Sequence, residues 1–463
     1  MDSNSATRRP LLQDIADEAN GEDHEELHKL SSRVIRRTTV LLQSRARHED
    51  GPDEDEGARA GSTTVEAICN LVIATAGGVG MVTLPGTFSV VGYLEGFFLL
   101  VISGVCAAVS LIFLNMACRI KNENEGYASY GGLVAHTLGS LGSYTLEGLT
   151  LLYCFGQVLA YVSAVGGQLT FLSGWLGVPR NQSAAASTGC AAALMFFLSL
   201  LPEESGMRFA GALGTFCVMV IVGTVVLGDG VSALHQGPCS LASSPAVPRA
   251  FNLTASTMLK SFPIFLFSMN ASVIYVPVRK EHRAGGAGPR QSRTLIGCSL
   301  VLSGLLYLAC SATSYYAYCS EIPENVVDVW PIEWIPGAIA RSALSMELLV
   351  AGGGIYVPLA RASLQHLIRG PQANAPASPL ARACMSFAFV SLGAAGSLLL
   401  RGALTLPLAV TSALCVTAQM LVLPGLILRK AHRKPWCRAL GTAFALAGFM
   451  LGALSLLALF GAL

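Results

Sequence analysis

From Thr64 onward the chain alternates long apolar runs with short polar connectors, and the runs have the length of membrane-crossing helices. A spanning helix needs about 20 mostly apolar residues. Eleven stretches meet or approach that length: 66–91, 94–117, 144–172, 189–201, 209–227, 256–278, 294–316, 342–359, 383–400, 404–428 and 440–460. The fourth is short and the eighth has soft edges. Helices follow from backbone chemistry, because hydrocarbon offers no partner to a free N–H. The alternation expected of barrel strands is absent. The pattern predicts an all-α polytopic membrane protein over residues 63–463, with about 11 transmembrane helices, numbered here as spans 1 to 11.

Residues 1–62 do not share the pattern. Up to Gly61 they hold 14 of the 28 acidic residues and 9 of the 30 basic ones. Clusters such as Glu22-Asp23-His24-Glu25-Glu26 bury no apolar area, so the sequence predicts a disordered cytoplasmic tail, with a short helix near 27–42. No apolar run near Met1 suggests a cleaved leader. Arg8-Arg9-Pro10-Leu11-Leu12 resembles a dileucine sorting signal, but Thr7 and Arg8 stand where such signals carry an acid.

Composition narrows the class. The 463 residues are 52% hydrophobic and 13% charged, with mean hydropathy +0.56, against roughly 25% charge in a soluble domain. That excludes an ordinary soluble enzyme, and the net charge of +2 gives no pointer to nucleic acid. The connector charges then orient the chain. With the N-terminus in the cytoplasm, roughly 16 Lys and Arg fall in inner connectors and roughly 5 in outer ones. The tripeptides Asn181-Gln182-Ser183 and Asn252-Leu253-Thr254 fall outside, where glycans are added. Most of the 13 cysteines lie within spans and no spacing suggests zinc, so no metal is expected. Cys239 and Cys319 lie on the outer side with Cys190 near it, which leaves room for one disulfide.

Two spans carry damage at mid-depth. Span 1 reads Gly77-Gly78-Val79-Gly80 and then Pro85; span 6 has Ser268-Met269-Asn270 at its centre, with Pro263 and Pro277 on either side. Glycine and proline weaken a helix. Free backbone survives at that depth only where it faces protein or a cavity. Half-helix ends present N–H groups to an anion and carbonyls to a cation, and an α-amino acid carries both charges. Damaged helices five spans apart fit a five-plus-five inverted repeat. Glycine serving only close helix packing is the competing explanation.

These residues resemble a known family. Gly78-Val79-Gly80-Met81-Val82-Thr83-Leu84-Pro85, followed by Gly92, is similar to the first-helix signature of the amino acid/auxin permease family; Asn70-Leu71-Val72 lies upstream. Phe262 to Lys280 resembles its sixth helix, Tyr356 to Leu364 its eighth, and Leu423-Pro424-Gly425-Leu426 the end of its tenth. The resemblance covers residues 64–463. It implies a LeuT-like fold with broken helices 1 and 6, and secondary transport of amino acids driven by H⁺ or Na⁺. By position it places substrate beside Gly77, Gly78, Val79 and Gly80, and beside Ser268, Met269 and Asn270. Gln157 and Tyr161 lie on one face of span 3. With Tyr356 on span 8 they are further candidates for the wall, or else groups satisfied between packed helices.

The sodium-coupled members place an Asn in helix 1 and a Thr in helix 8 as ligands. Here those positions fall on Ile73 or Ala74 and near Gly352, with Thr75 as a substitute. Proton coupling or facilitated exchange is therefore favoured over Na⁺. Glu347 is the candidate proton carrier, since an ionisable group within a span is a functional candidate. Its position near the outer end of span 8, however, favours a solvated helix-start glutamate. Glu95, Glu147 and Asp229 sit at span ends and are expected at the interface.

No HExxH, GxSxG elbow or paired carboxylate suggests a membrane enzyme, and no charge ring suggests a channel. The sequence reads as a symporter of neutral amino acids working by alternating access, with an amino-acid-sensing transceptor or a sodium symporter as alternatives. The expected partners are the substrate, the bilayer and a cytosolic protein at the tail. The expected site is the plasma membrane or a lysosome- or vacuole-like membrane.

Overall fold

The computed structural model describes residues 62–121, 129–175, 180–201, 203–242, 248–252, 254–331, 333–370, 378–400 and 405–461. The tail with its dileucine-like motif lies outside the described residues, as do the side chains of Asn181 and Gln182. Among the described residues every regular element is helical.

Span 1 is two helices, α1 (Thr64–Ala76) and α2 (Val79–Val91), bent by 47° at the glycine pair. α1 begins on a capping box. The Thr63 hydroxyl accepts from the Glu66 N–H at 3.2 Å, and the Glu66 carboxylate accepts from the Thr63 N–H at 3.4 Å. The helix stops because Gly78 takes φ +101° and ψ −170°, a backbone region essentially closed to side chains. Inside α2, Pro85 removes the donor that the Met81 carbonyl would normally receive. The Cys310 thiol meets that carbonyl instead, at 3.7 Å.

Span 2 is α3 (Tyr93–Lys121). A short α4 (Tyr130–Leu138) leads to span 3, α5 (Ser140–Trp175). Span 4 lies in α6 (Arg180–Leu198), and span 5 is α7 (Glu203–Thr224) with a π-turn at Val225–Gly230 and α8 (Val231–Gln236). Span 6 is α9 (Ala255–Ser268) and α10 (Ser272–Ala284), interrupted at Met269–Ala271; Asn270 Oδ1 accepts the Ser272 N–H at 3.2 Å and so caps the second half. Span 7 is α11 (Pro289–Tyr318). Span 8 is α12 (Ile335–Ala351), a π-turn at Gly352–Tyr356, and α13 (Val357–Arg369). α14 (Pro379–Leu399) forms span 9. Span 10 runs from α15 (Thr405–Thr411) through two π-turns, Ser412–Val416 and Ala418–Val422, into α16 (Leu423–Ala431), and span 11 is α17 (Pro435–Leu459).

Among the described residues nine helices are long and apolar enough to cross a membrane, and the bent α1–α2 pair makes a tenth. The fourth predicted run is a shorter apolar helix, Ser183–Ser199. Span 8 begins seven residues earlier than its apolar run suggests, at Ile335.

Three expectations about carboxylates are corrected. Glu347 is not a solvated helix-start residue: it lies twelve residues into span 8, about 18 Å along the helix, and is buried. Glu95 and Asp229 are also buried, because connectors fold back over the span ends. Glu95 Oε2 accepts the Asn252 N–H at 3.0 Å. Asp229, on the π-turn of span 5, accepts at Oδ1 from the Tyr318 hydroxyl (3.0 Å) and the Trp330 indole (2.9 Å). Cys239 and Cys319 form the disulfide, and Cys190 is free.

Candidate functional site

The span-1 break lies among spans 3, 6, 7 and 8. α1 and α2 both pack on α11, while α5 reaches α2 and α12 packs on α5 and α7. Each glycine of the break is spoken for by a different helix. A Cβ on Gly77 would stand 3.0 Å from Glu347 Oε1 of α12. On Gly78 it would collide with the Tyr161 hydroxyl of α5. On Gly80 it would stand 2.8 Å from the Tyr307 hydroxyl of α11 and 3.1 Å from Ser268 Oγ of α9. The absence of side chains is thus what lets spans 3, 6, 7 and 8 converge on bare backbone.

The polar groups at this point have unequal provisions. Glu347 has both carboxylate oxygens buried without a hydrogen-bond partner at ordinary geometry, with the Gly78 amide facing it. Such a group is costly when ionised at membrane depth. By helix geometry the first N–H groups of α2, at Val79 and Gly80, have no intrahelical acceptor, so this end favours an anion. Ser268 Oγ donates to the Ile264 carbonyl at 3.0 Å and keeps its lone pairs.

A wall of rings closes the far side. Tyr161 and Tyr356 stack edge to face at 5.6 Å between centroids, and Tyr153 lies 6.0 Å from both Tyr356 and Phe267. Gln157 donates to the Tyr153 hydroxyl at 2.9 Å, while its own carbonyl oxygen is buried and unpaired. Ser268, Met269, Asn270, Tyr161 and Tyr356 are all buried. Gly77, Gly78, Gly80, Ser268, Tyr161, Tyr356 and Gln157 are linked contact by contact around the break, whereas the Met269 side chain reaches toward Gly104 of span 2 and Gly304 of span 7 and the Asn270 amide caps α10.

Both ends of the bundle are tied. At the predicted outer end Arg341 donates to Gln168 Oε1 at 2.8 Å and to the Trp330 carbonyl at 2.7 Å, pairs with Asp328 at 3.4 Å, and lies 3.8 Å over the Phe171 ring. At the predicted inner end Arg279 Nε donates to Asn115 Oδ1 at 2.8 Å, and His282 Nε2 lies 3.1 Å from the Thr64 hydroxyl. Two cavities, of about 580 and 450 Å³, open toward the predicted outer end; neither is lined by the Gly77–Gly80 break.

The sequence profile of the family described as transmembrane amino acid transporter protein matches residues 60–463. The chain belongs to this family. Among its relatives is vacuolar amino acid transporter 6 of Saccharomyces cerevisiae, 25% identical over 308 residues, or 64% of this chain and 65% of the relative. Amino acid transporter AVT6B of Arabidopsis thaliana is 21% identical over 315 residues (65% and 66%). Vacuolar amino acid transporter 5 of Schizosaccharomyces pombe is 23% identical over 288 residues (60% and 63%). The matches thus span somewhat under two thirds of these relatives' lengths. The family is one of transporters, and this chain is a multi-pass membrane protein of it.

Sequence reasoning missed Tyr307. Its hydroxyl donates to the Thr75 carbonyl at 2.6 Å and faces the Ser268 carbonyl at 3.1 Å, so one span-7 side chain touches both broken helices. One turn away, the Ser303 hydroxyl lies 2.5 Å from that of Thr75. A signal for it was present: Ser299, Ser303, Tyr307 and Ser311 repeat every four residues along one buried face of α11.

Proposed function

We propose that this chain is a secondary carrier of neutral amino acids, working by alternating access and coupled to protons through Glu347. The observation that carries the reading is the position of the Glu347 carboxylate beside the Gly77–Gly78 break, at the anion-favouring end of α2. The substrate carboxylate is taken there by the free N–H groups of Val79 and Gly80. Its ammonium faces the Ser268 hydroxyl and the carbonyls of the span-6 interruption. Its side chain meets Tyr153, Tyr161, Tyr356 and Phe267, rings that offer no counter-ion to a charged residue.

Coupling follows from electrostatics. Two carboxylates cannot share one half-helix end when both are ionised, so Glu347 takes a proton when substrate binds. Linkage makes the effect reciprocal: protonation favours substrate, and substrate favours protonation. Both then cross together, which is symport. The ties at Arg341 and at Arg279 and His282 hold the two ends shut and alternate in opening as the halves of spans 1 and 6 hinge. The LeuT-like five-plus-five repeat is the architecture that would support such rocking. The names of the yeast relatives, which are vacuolar amino acid transporters, support a vacuole- or lysosome-like membrane. With the outer face toward an acid lumen and the tail in the cytosol, protons would drive amino acids outward from the lumen.

The test is purified protein in liposomes, a panel of labelled amino acids, an imposed pH gradient of either sign, and Na⁺ replaced by choline. Neutral amino acids should accumulate when protons flow with them, with no effect of Na⁺. Accumulation that requires Na⁺, or flux indifferent to the pH gradient, would refute the coupling. Saturable binding with no flux would make the protein a receptor.

A further inference from the structure

Thr75 and Ser268 lie at the C-terminal ends of α1 and α9, and both helices stop at mid-depth. The last carbonyls of a helix have no intrahelical donor. For Ser268, the N–H four residues on belongs to Ser272 and is bonded to Asn270 Oδ1. Each helix end carries about half a negative charge. Where the two ends converge, the backbone presents roughly one negative charge, the complement of a single monovalent cation.

The surroundings are also those of a hard cation. Besides the two carbonyls, Ser268 Oγ lies close by across Gly80, and the Thr75 and Ser303 hydroxyls pair at 2.5 Å one turn away. Carbonyl and hydroxyl oxygens of this kind replace the hydration shell of alkali ions. The seat is instead held by the Tyr307 hydroxyl, 2.6 Å from one carbonyl and 3.1 Å from the other. A phenol has one O–H to give, and here it faces two acceptors. The ring is fully buried, so water does not compete.

We propose that the Tyr307 hydroxyl stands in for a monovalent cation between the two helix breaks, and that removing it uncovers a latent alkali-ion site. This rests on the carrier reading above and explains how such a carrier dispenses with sodium. Tyr307 is on this view the residue that fixes the coupling ion. The bridge also holds the ends of α1 and α9 together, as a bound ion would.

The experiment uses the full-length protein, purified and also reconstituted, as wild type, Tyr307→Ser and Tyr307→Phe. Radiosodium binding is read on the purified protein, independently of transport. Wild type should bind no sodium saturably, and its uptake should not change when Na⁺ replaces choline. Tyr307→Ser should bind radiosodium saturably, and Na⁺ should raise its uptake by at least about fivefold, the low end of coupling between two sites. Saturable sodium binding by wild type overturns the proposal. So does a Tyr307→Ser protein that is monodisperse and still transports but ignores sodium.

Loss of the ring leaves a void that can unfold the protein, so Tyr307→Phe is the second arm. It keeps the packing and removes only the donor, leaving neither hydroxyl nor room for an ion. Its uptake should fall at least about tenfold, a loss of the order of one buried hydrogen bond, whatever the Na⁺ concentration. Uptake equal to wild type overturns the proposal. If wild type itself moves no amino acid, the carrier reading fails, while the radiosodium comparison still decides the site.

Discussion

Gly78→Ala tests the central geometry with a single methyl group. Gly78 holds φ +101° and ψ −170°, and a non-glycine residue in that region costs about 1–3 kcal/mol. The added carbon also collides with the Tyr161 hydroxyl. Tyr161 cannot simply retreat, since its ring packs edge to face on Tyr356 and lies 3.3 Å from where a Gly352 Cβ would stand. Overpacking of this kind costs about 1–3 kcal/mol. Together they weigh about 2–6 kcal/mol against the closed conformation, and the middle of that range lowers its population by roughly a thousandfold. The assay is uptake by reconstituted protein, with insertion and monodispersity checked separately. We expect uptake to fall by about a hundredfold or more with the protein intact. Gly167→Ala is the control, because nothing lies within 4 Å of a Cβ there. Adding Tyr161→Phe should relieve the collision and leave the backbone cost, giving partial rescue. Uptake by Gly78→Ala within twofold of wild type would refute the reasoning, and full rescue by Tyr161→Phe would refute its backbone half.

Glu347→Gln keeps the volume and removes the titration; exchange of labelled for unlabelled substrate should persist while pH-driven accumulation is lost, and accumulation that survives would take Glu347 out of the coupling. Partial desolvation raises the Asp328 carboxyl above the ordinary aspartate range, against the opposing Gln168 amide and Arg341 guanidinium, and since its side chain stays 48% exposed the effect is small. A group easier to protonate folded than unfolded adds stability that is complete below the ordinary value and lost as pH rises through the raised one. The Tm of wild type minus that of Asp328→Asn should therefore grow on acidification, and a shrinking difference would reverse the assignment. Cys239→Ser opens a bridge between residues 80 apart, a closure worth about 4.5 kcal/mol on chain entropy; Tm should fall by several degrees, and an unchanged Tm would show that the connectors hold without it.

What the sequence made legible was local. Gly77, Gly78 and the polar Ser268–Asn270 stretch announce broken helices by conformational preference alone, and both interruptions are present. The apolar runs gave the order of the spans because bilayer thickness sets a length. What was illegible depends on other spans. Glu347 looks like a helix-start residue until α12 is seen to begin at Ile335, whose neighbours Trp334 and Pro336 blur the apolar edge. Asp229 looks interfacial until Trp330, a hundred residues on, folds over it. Tyr307 reads as one more aromatic in an apolar helix, because the four-residue repeat it shares with Ser299, Ser303 and Ser311 marks a face of α11 without saying that two distant carbonyls lie within its reach.

The paired π-turns of span 10 have a practical consequence for anyone comparing this chain with its relatives. Each i+5 turn takes in one residue more than the α-turn it replaces, so two of them advance the side-chain register by about 200°. A helical wheel drawn at a constant angle through 405–431 would send half of its residues to the wrong side. Single-residue gaps between Ser412 and Val422 in an alignment are then the mark of a relative that has straightened this rod, and its lipid-facing and protein-facing positions must be renumbered before any substitution is transferred.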